Sequence, residues 1–174
     1  LEDAVAISNQ VPTVKKVAPQ ISANEIVQSN SKSLNISIAG ITPEFLEVRS
    51  FEVDKGRFIS QNDLNSARSY VVIGPDLKDE FFKNKSSSLG EKIRIKDHTY
   101  EVIGILKPKG AVFGSNQDKN AYIPLTTMVN RITGKDPTYG VSLSFISVEA
   151  KNKNATSAAK FQITNLLRQR HKII

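Results

Sequence analysis

Cysteine is absent from all 174 residues, which excludes a disulfide framework, a Cys-ligated zinc and a thiol nucleophile. The absence leaves the compartment open, since extracytoplasmic domains also dispense with cysteine. Long apolar runs are missing as well. Stretches such as Tyr70 to Ile73 and residues 102–106 fall well short of the roughly 20 apolar residues that a membrane helix requires. The opening residues, Leu1-Glu2-Asp3-Ala4, have neither an initiator methionine nor the basic and apolar regions of a signal peptide, so the chain reads as a piece of something longer. Histidine occurs twice, as His98 and His171, and neither stands in a spacing that resembles a metal site. A structural or exposed role serves for both.

Catalytic signatures are equally scarce. No Gly-x-Ser-x-Gly elbow occurs, and the serines at 29–33 and 86–88 lie in polar stretches that read as loops. Asp76, Asp79 and Glu80 share helical spacing, but an acidic first turn of a helix accounts for them without catalysis. The segment 110–116 places three residues between its glycines and has no lysine, whereas a phosphate-binding loop needs four and a lysine. No catalytic residue, cofactor or metal ligand is therefore expected.

What is present is enough for one core: 39% of residues are hydrophobic and 24% charged. Lys and Arg outnumber Asp and Glu by 24 to 17, a net +7 that suits an acidic partner or a phosphate-rich surface. Most basic residues read as scattered through loops and element ends, among them Lys15, Lys16, Lys107, Lys109, Lys151 and Lys153. One cluster stands out, Arg168 to Lys172 at the end of the last predicted helix. Nucleic acid is not expected as a partner, because a clustered stripe with interleaved aromatics is lacking.

Periodicity predicts a short amphipathic helix over residues 1–11, ended by Pro12, and then two strands around 14–21 and 34–38 joined by a polar hairpin loop at 28–33. Thr42-Pro43-Glu44 reads as an N-cap, a proline at the first helical position and an acidic first turn, starting a short helix that ends near Arg49. Residues 70–73 read as a buried strand followed by a helix over 76–82. In 92–95 Ile93 and Ile95 alternate with Lys92 and Arg94, and 99–106 completes a hairpin with them. Residues 107–120 read as a long exposed loop whose apolar Val112 and Phe113 are candidate partner contacts. A strand over 121–124, a helix over 125–132, a strand over 141–148 and a helix capped by Asn154 follow. The last helix carries an apolar stripe of Ala155, Ala159, Ile163, Leu166 and Leu167.

Seven segments in order carry a resemblance: Ile38-Ala39-Gly40-Ile41-Thr42-Pro43-Glu44-Phe45, Lys55-Gly56-Arg57-Phe58-Ile59, Val71-Val72-Ile73-Gly74, Leu89-Gly90-Glu91-Lys92-Ile93, Val102-Ile103-Gly104-Ile105-Leu106, Tyr122-Ile123-Pro124-Leu125 and Leu166-Leu167-Arg168-Gln169-Arg170-His171. In this order and spacing the chain resembles, over essentially its whole length, the extracytoplasmic domain of MacB/FtsX-like ABC transporter permeases.

The resemblance implies an α+β domain of two subdomains, set between the first two membrane helices of a permease on the periplasmic or extracellular side of the inner or plasma membrane. A discontinuous, membrane-proximal subdomain of residues 1–55 plus 139–174 would carry both chain ends, and a β-rich subdomain of residues 56–138 would be inserted in it. It also implies partners: an adaptor (membrane fusion) protein, a second permease copy in a homodimer, a cytoplasmic ATPase domain and the membrane through flanking helices. The domain itself would not be an enzyme. The rival reading is a free-standing ligand- or polyanion-binding module, motivated by the charge.

Overall fold

In the computed structural model, which describes residues 1–112 and 115–173, helices pack on a mixed β-sheet. The strands are β1 (Val14–Ser29), β2 (Lys32–Ile41), β3 (Val53–Gly56), β4 (Tyr70–Ile73), β5 (Lys92–Ile95), β6 (His98–Leu106), β7 (Ala111–Val112), β8 (Ser115–Asn116), β9 (Ala121–Pro124) and β10 (Phe145–Ala150). The α-helices are α1 (Glu2–Gln10), α2 (Phe45–Val48), α3 (Gln61–Asn65), α4 (Pro75–Phe82), α5 (Leu125–Met128) and α6 (Thr156–His171). This is the expected α+β class. Strand order is β10-β1-β2-β9-β4-β6-β3, with β5 bridging β1 and β6. The β2–β9 and β4–β6 pairs are parallel and the others antiparallel.

β1 and β2 form a long hairpin. Its turn is Asn30-Ser31, with φ of +48° and +66°. Two successive left-handed residues make the tight turn that matches the strands' twist, so the loop expected over 28–33 contracts to two residues. β1 changes neighbours along its length: residues 14–20 pair with β10, and residues 21–29 with β2. Pro19 sits where β10 is, among the described residues, the only strand beside β1, so its missing amide breaks no second ladder there.

Both faces of the central strands are covered, which explains their nearly continuous apolar runs. On one face Ile38, Ile73, Leu77, Phe82, Ile93, Ile95, Tyr100 and Val102 form the main core, each at most 1% exposed. The other face buries Ala39, Ile41, Val72 and an aromatic group in which the Phe45 ring lies 5.2 Å from Phe51 and 5.3 Å from Tyr122. A third cluster joins the chain ends: Ala4, Ile7 and Val11 meet Val14, Val17 and Ala159, with Ile163, Leu166 and Leu167 partly buried against them.

The Gly-Arg-Phe segment shows what one of the seven sequence segments does. Gly56 has φ +74°, and a Cβ there would fall 2.2 Å from the carbonyl oxygen of Ile103. The chain then delivers Arg57 to Asp63, whose carboxylate it grips through two nitrogens at 2.5 and 3.2 Å. Asp63 also accepts from the Ser60 amide and hydroxyl, both at 2.9 Å, while the Asp63 amide donates back to the Ser60 hydroxyl, a reciprocal cap of α3.

Three local expectations change. Thr42 does not cap α2: the helix starts at Phe45 after a turn closed by the Phe45 amide on the Thr42 carbonyl, and the Thr42 hydroxyl is buried without a partner among the described residues. The strand expected from 141 begins at Phe145, since Asp136 takes the amides of Thr138 and Tyr139 and leads the chain into an irregular approach from which Val141 and Leu143 reach the main core. Asn152, not Asn154, supplies the cap before α6; its side chain accepts from the Ala155 amide at 2.9 Å, closing a 3₁₀ turn that leads into the helix.

Candidate functional site

Two places concentrate polar chemistry, and the first is the segment 107–120. It is not an open loop. β7 and β8 pair as a small hairpin, and its base is fastened by the Asp118 carboxylate, which accepts from the Lys109 amide at 2.6 Å and the Gly110 amide at 3.1 Å. Asn116 accepts from the Asp118 amide at 3.0 Å and donates to Asp76 at 3.1 Å, which ties the hairpin to the first turn of α4. Gly74 makes that approach possible: a Cβ there would lie 2.2 Å from the Asp118 carbonyl oxygen. Lys109 reaches the Ser50 carbonyl at 2.7 Å and lies over the Phe51 ring at 5.1 Å, and Lys107 pairs with Glu52 at 2.6 Å. Beneath it the buried Tyr122 phenol is pushed up to about 12 by desolvation. Of the two candidate contacts, Phe113 lies outside the described residues, and Val112 is described by its backbone strand alone.

The second place is the junction of the chain ends. α1 begins with Glu2 and Asp3, and the last turn of α6 carries Arg168, Arg170 and His171. Each set complements its own helix dipole, and the fold brings the two together. The Arg170 side chain donates to one Asp3 oxygen at 2.7 Å and His171 meets the other at 2.8 Å, with Glu2 3.9 Å from Arg170. The Arg170 hydrogen bond holds the Asp3 carboxyl below its ordinary value; partial burial opposes this and His171 reinforces it. A wide groove opens beside this latch, lined by Asp3, Arg170, Tyr139, Val141 and Phe145.

Sequence reasoning named the basic cluster and missed its carboxylate partner. The available signal was an acidic first turn and a basic last turn with no opposite charge on their own helices. The remaining titratable candidates are held in surface pairs: Glu80 with Lys32, Asp79 with Lys78 at 3.0 Å, and Asp76 with Asn116. Among the described residues no group of three His, Asp or Glu side chains converges as a metal site, and no helix is long and apolar enough to cross a membrane.

Comparison with known proteins completes the description. The chain is 31% identical over 173 residues to the macrolide export ATP-binding/permease protein MacB of Shewanella sp. (strain ANA-3), a match covering 97% of this chain and 26% of that protein. It is 32% identical over 166 residues to the protein of the same description from Syntrophobacter fumaroxidans, covering 94% and 22%. The chain thus spans about a quarter of the length of these relatives. Among solved structures, the periplasmic region of MacB from Actinobacillus actinomycetemcomitans superposes with a TM-score of 0.82 at 25% identity, covering 98% of this chain and 73% of that one. The extracellular domain of the noncanonic ABC-type transporter YknZ from Gram-positive bacteria shares the fold with a TM-score of 0.82 at 22% identity, covering 98% and 83%. The sequence pattern of the MacB-like periplasmic core domain matches residues 1–166, and the chain belongs to that family.

Proposed function

We propose that this domain is the extracytoplasmic part of a MacB-like ABC transporter permease and couples cytoplasmic ATP-driven motion to substrate export while docking an adaptor protein. It works without a cofactor and without catalysis of its own. The ATPase belongs to another domain or chain, the permease acts as a pair of copies, and membrane helices flank the domain. Residues 1–55 plus 139–174 serve as the membrane-proximal part and residues 56–138 as the inserted one.

The observation that carries this reading is the latch between the chain ends. Asp3 on α1 is held by Arg170 and His171 on α6, residues far apart in sequence, so helices entering at either end would pull on one point. A force reaching either end is then delivered to the cluster of Ala4, Ile7, Val17 and Ala159 and to β1 beyond it. In the full-length transporter, Asp3→Ala is expected to leave ATP hydrolysis in place while efflux falls severalfold. Efflux and hydrolysis that stay in the wild-type ratio would remove the coupling role.

A further inference from the structure

The sheet has two outer strands among the described residues, and they are built differently. β3 is guarded: Asp54 and Lys55 are exposed, Gly56 turns it away, and its register with β6 shifts between Val53 and Lys55. Such charges and irregularities are how native edges refuse a further strand. β10 has the sequence Phe-Ile-Ser-Val-Glu-Ala, without proline or lysine; its pairing with β1 shifts once, between Val14 and Lys16 at the Ala150 end, and is even from Glu149 to Phe145. Its one charge, Glu149, is taken by Lys15 at 3.0 Å. An apolar groove of about 440 Å³ runs beside it, lined by Ile146, Val148 and Ala150 of β10 and by Ala159, Ile163 and Leu167 of α6.

The segment that follows β10 carries charge of one sign. Residues 151–174 hold six of the chain's 24 Lys and Arg and none of its 17 Asp and Glu, which leaves 18 cations against 17 acids in the rest of the chain. Nearly all the net charge therefore sits on the segment that follows β10. Lys151, Lys153, Lys160 and Arg168 are exposed and have no ion-pair partner among the described residues. Lys160 lines the groove itself.

We propose that the open edge of β10 receives an extended acidic segment of a partner protein by strand addition. The strand's outward amides and carbonyls supply the backbone ladder, alternate apolar side chains of the guest fill the groove, and carboxylates at the guest's end, beyond the alternating stretch, meet Lys151, Lys153 and Lys160. A second copy of this chain is disfavoured as the guest, because edge-to-edge pairing would bring two cationic α6 segments together. A lipid surface lacks the regularly spaced row of donors and acceptors that a strand edge pairs with.

The test uses a synthetic peptide of about seven residues, alternating valine and serine with a glutamate at each end, enough to span β10, its counterpart with a lysine at each end, and vesicles of equal parts phosphatidylglycerol and phosphatidylcholine. Amide hydrogen exchange in this chain is followed with each. The glutamate peptide is expected to slow exchange within 145–150, and the lysine peptide to leave it unchanged. Lys153→Glu combined with Lys160→Glu, both exposed, should keep the thermal midpoint and weaken the glutamate peptide about tenfold, since an exposed pair contributes at most about fivefold. Equal effects of the two peptides, no slowing within 145–150, or slowing there by the vesicles alone would overturn the proposal.

Discussion

The central sheet and the terminal helices bury their apolar residues to different depths. In the centre, aromatic and branched side chains from several strands are almost fully enclosed on both faces. At the chain ends α6 is sixteen residues long yet fully buries only Ala159, and Phe161 stands 67% exposed on its outer side. Stability is therefore concentrated in the centre, and the terminal layer is held by a thin apolar seam and a charged latch. That division suits the coupling role proposed above, in which the centre holds its shape while the ends move.

The comparison can be broken at its strongest point by Tyr122→Ala, which removes the ring packed against Phe45 and Phe51. The expected loss is about 3–5 kcal/mol by urea unfolding, the usual range for truncating a buried aromatic. A loss below about 1 kcal/mol would mean that the centre is no firmer than the ends.

Asp63→Ala should cost less, about 2 kcal/mol, because Arg57 is half exposed and can return to water while the cap of α3 is lost. The same carboxylate predicts a pH dependence. Burial alone would raise its pKa, but donation from Arg57 and Ser60 outweighs burial and leaves it lowered. A group with a lower pKa folded than unfolded adds stability that is complete above the unfolded value, near 4, and drains as pH falls through the folded one. Wild type and Asp63→Ala should therefore converge in stability as acid is added below about pH 4. A gap that stays constant with pH would place the loss in packing.

The smallest effect is expected for Ile163→Ala in α6, about 1 kcal/mol, since this side chain is only partly buried. Its signature is local: amides of α6 should exchange faster while those of β4 and β9 hold their rates. Acceleration in both regions would join the ends to the centre as one cooperative unit.

Much of this contrast could be read from the residues, where periodicity is a local property. The alternation of Lys92, Ile93, Arg94 and Ile95 placed a half-exposed strand correctly, and the adjoining hairpin followed. The stripe Ala159, Ile163, Leu166 and Leu167 marked the inner side of α6. Patterns that depend on distant partners were silent. The parallel pairing of β2 with β9 joins residues some eighty positions apart, and the Asp3 latch spans nearly the whole chain. Thr42 misled because a threonine before proline and glutamate looks like a cap whether or not its hydroxyl can reach an amide. Basic residues that looked scattered along the sequence proved one-sided when set against the acids, which stop at Glu149.

β1 carries a consequence of its own. It runs unbroken from Val14 to Ser29 and exchanges β10 for β2 as its neighbour between Gln20 and Ile21. No glycine or flexible connector interrupts it there, so the two ends of the molecule have no free swivel between them. Along this path relative displacement would be absorbed by shear and by twisting of the strand. A small tilt imposed on the helices would be handed on as torsion along a common rod, whose length the already extended backbone keeps fixed while the ladder bonds hold it to its neighbours.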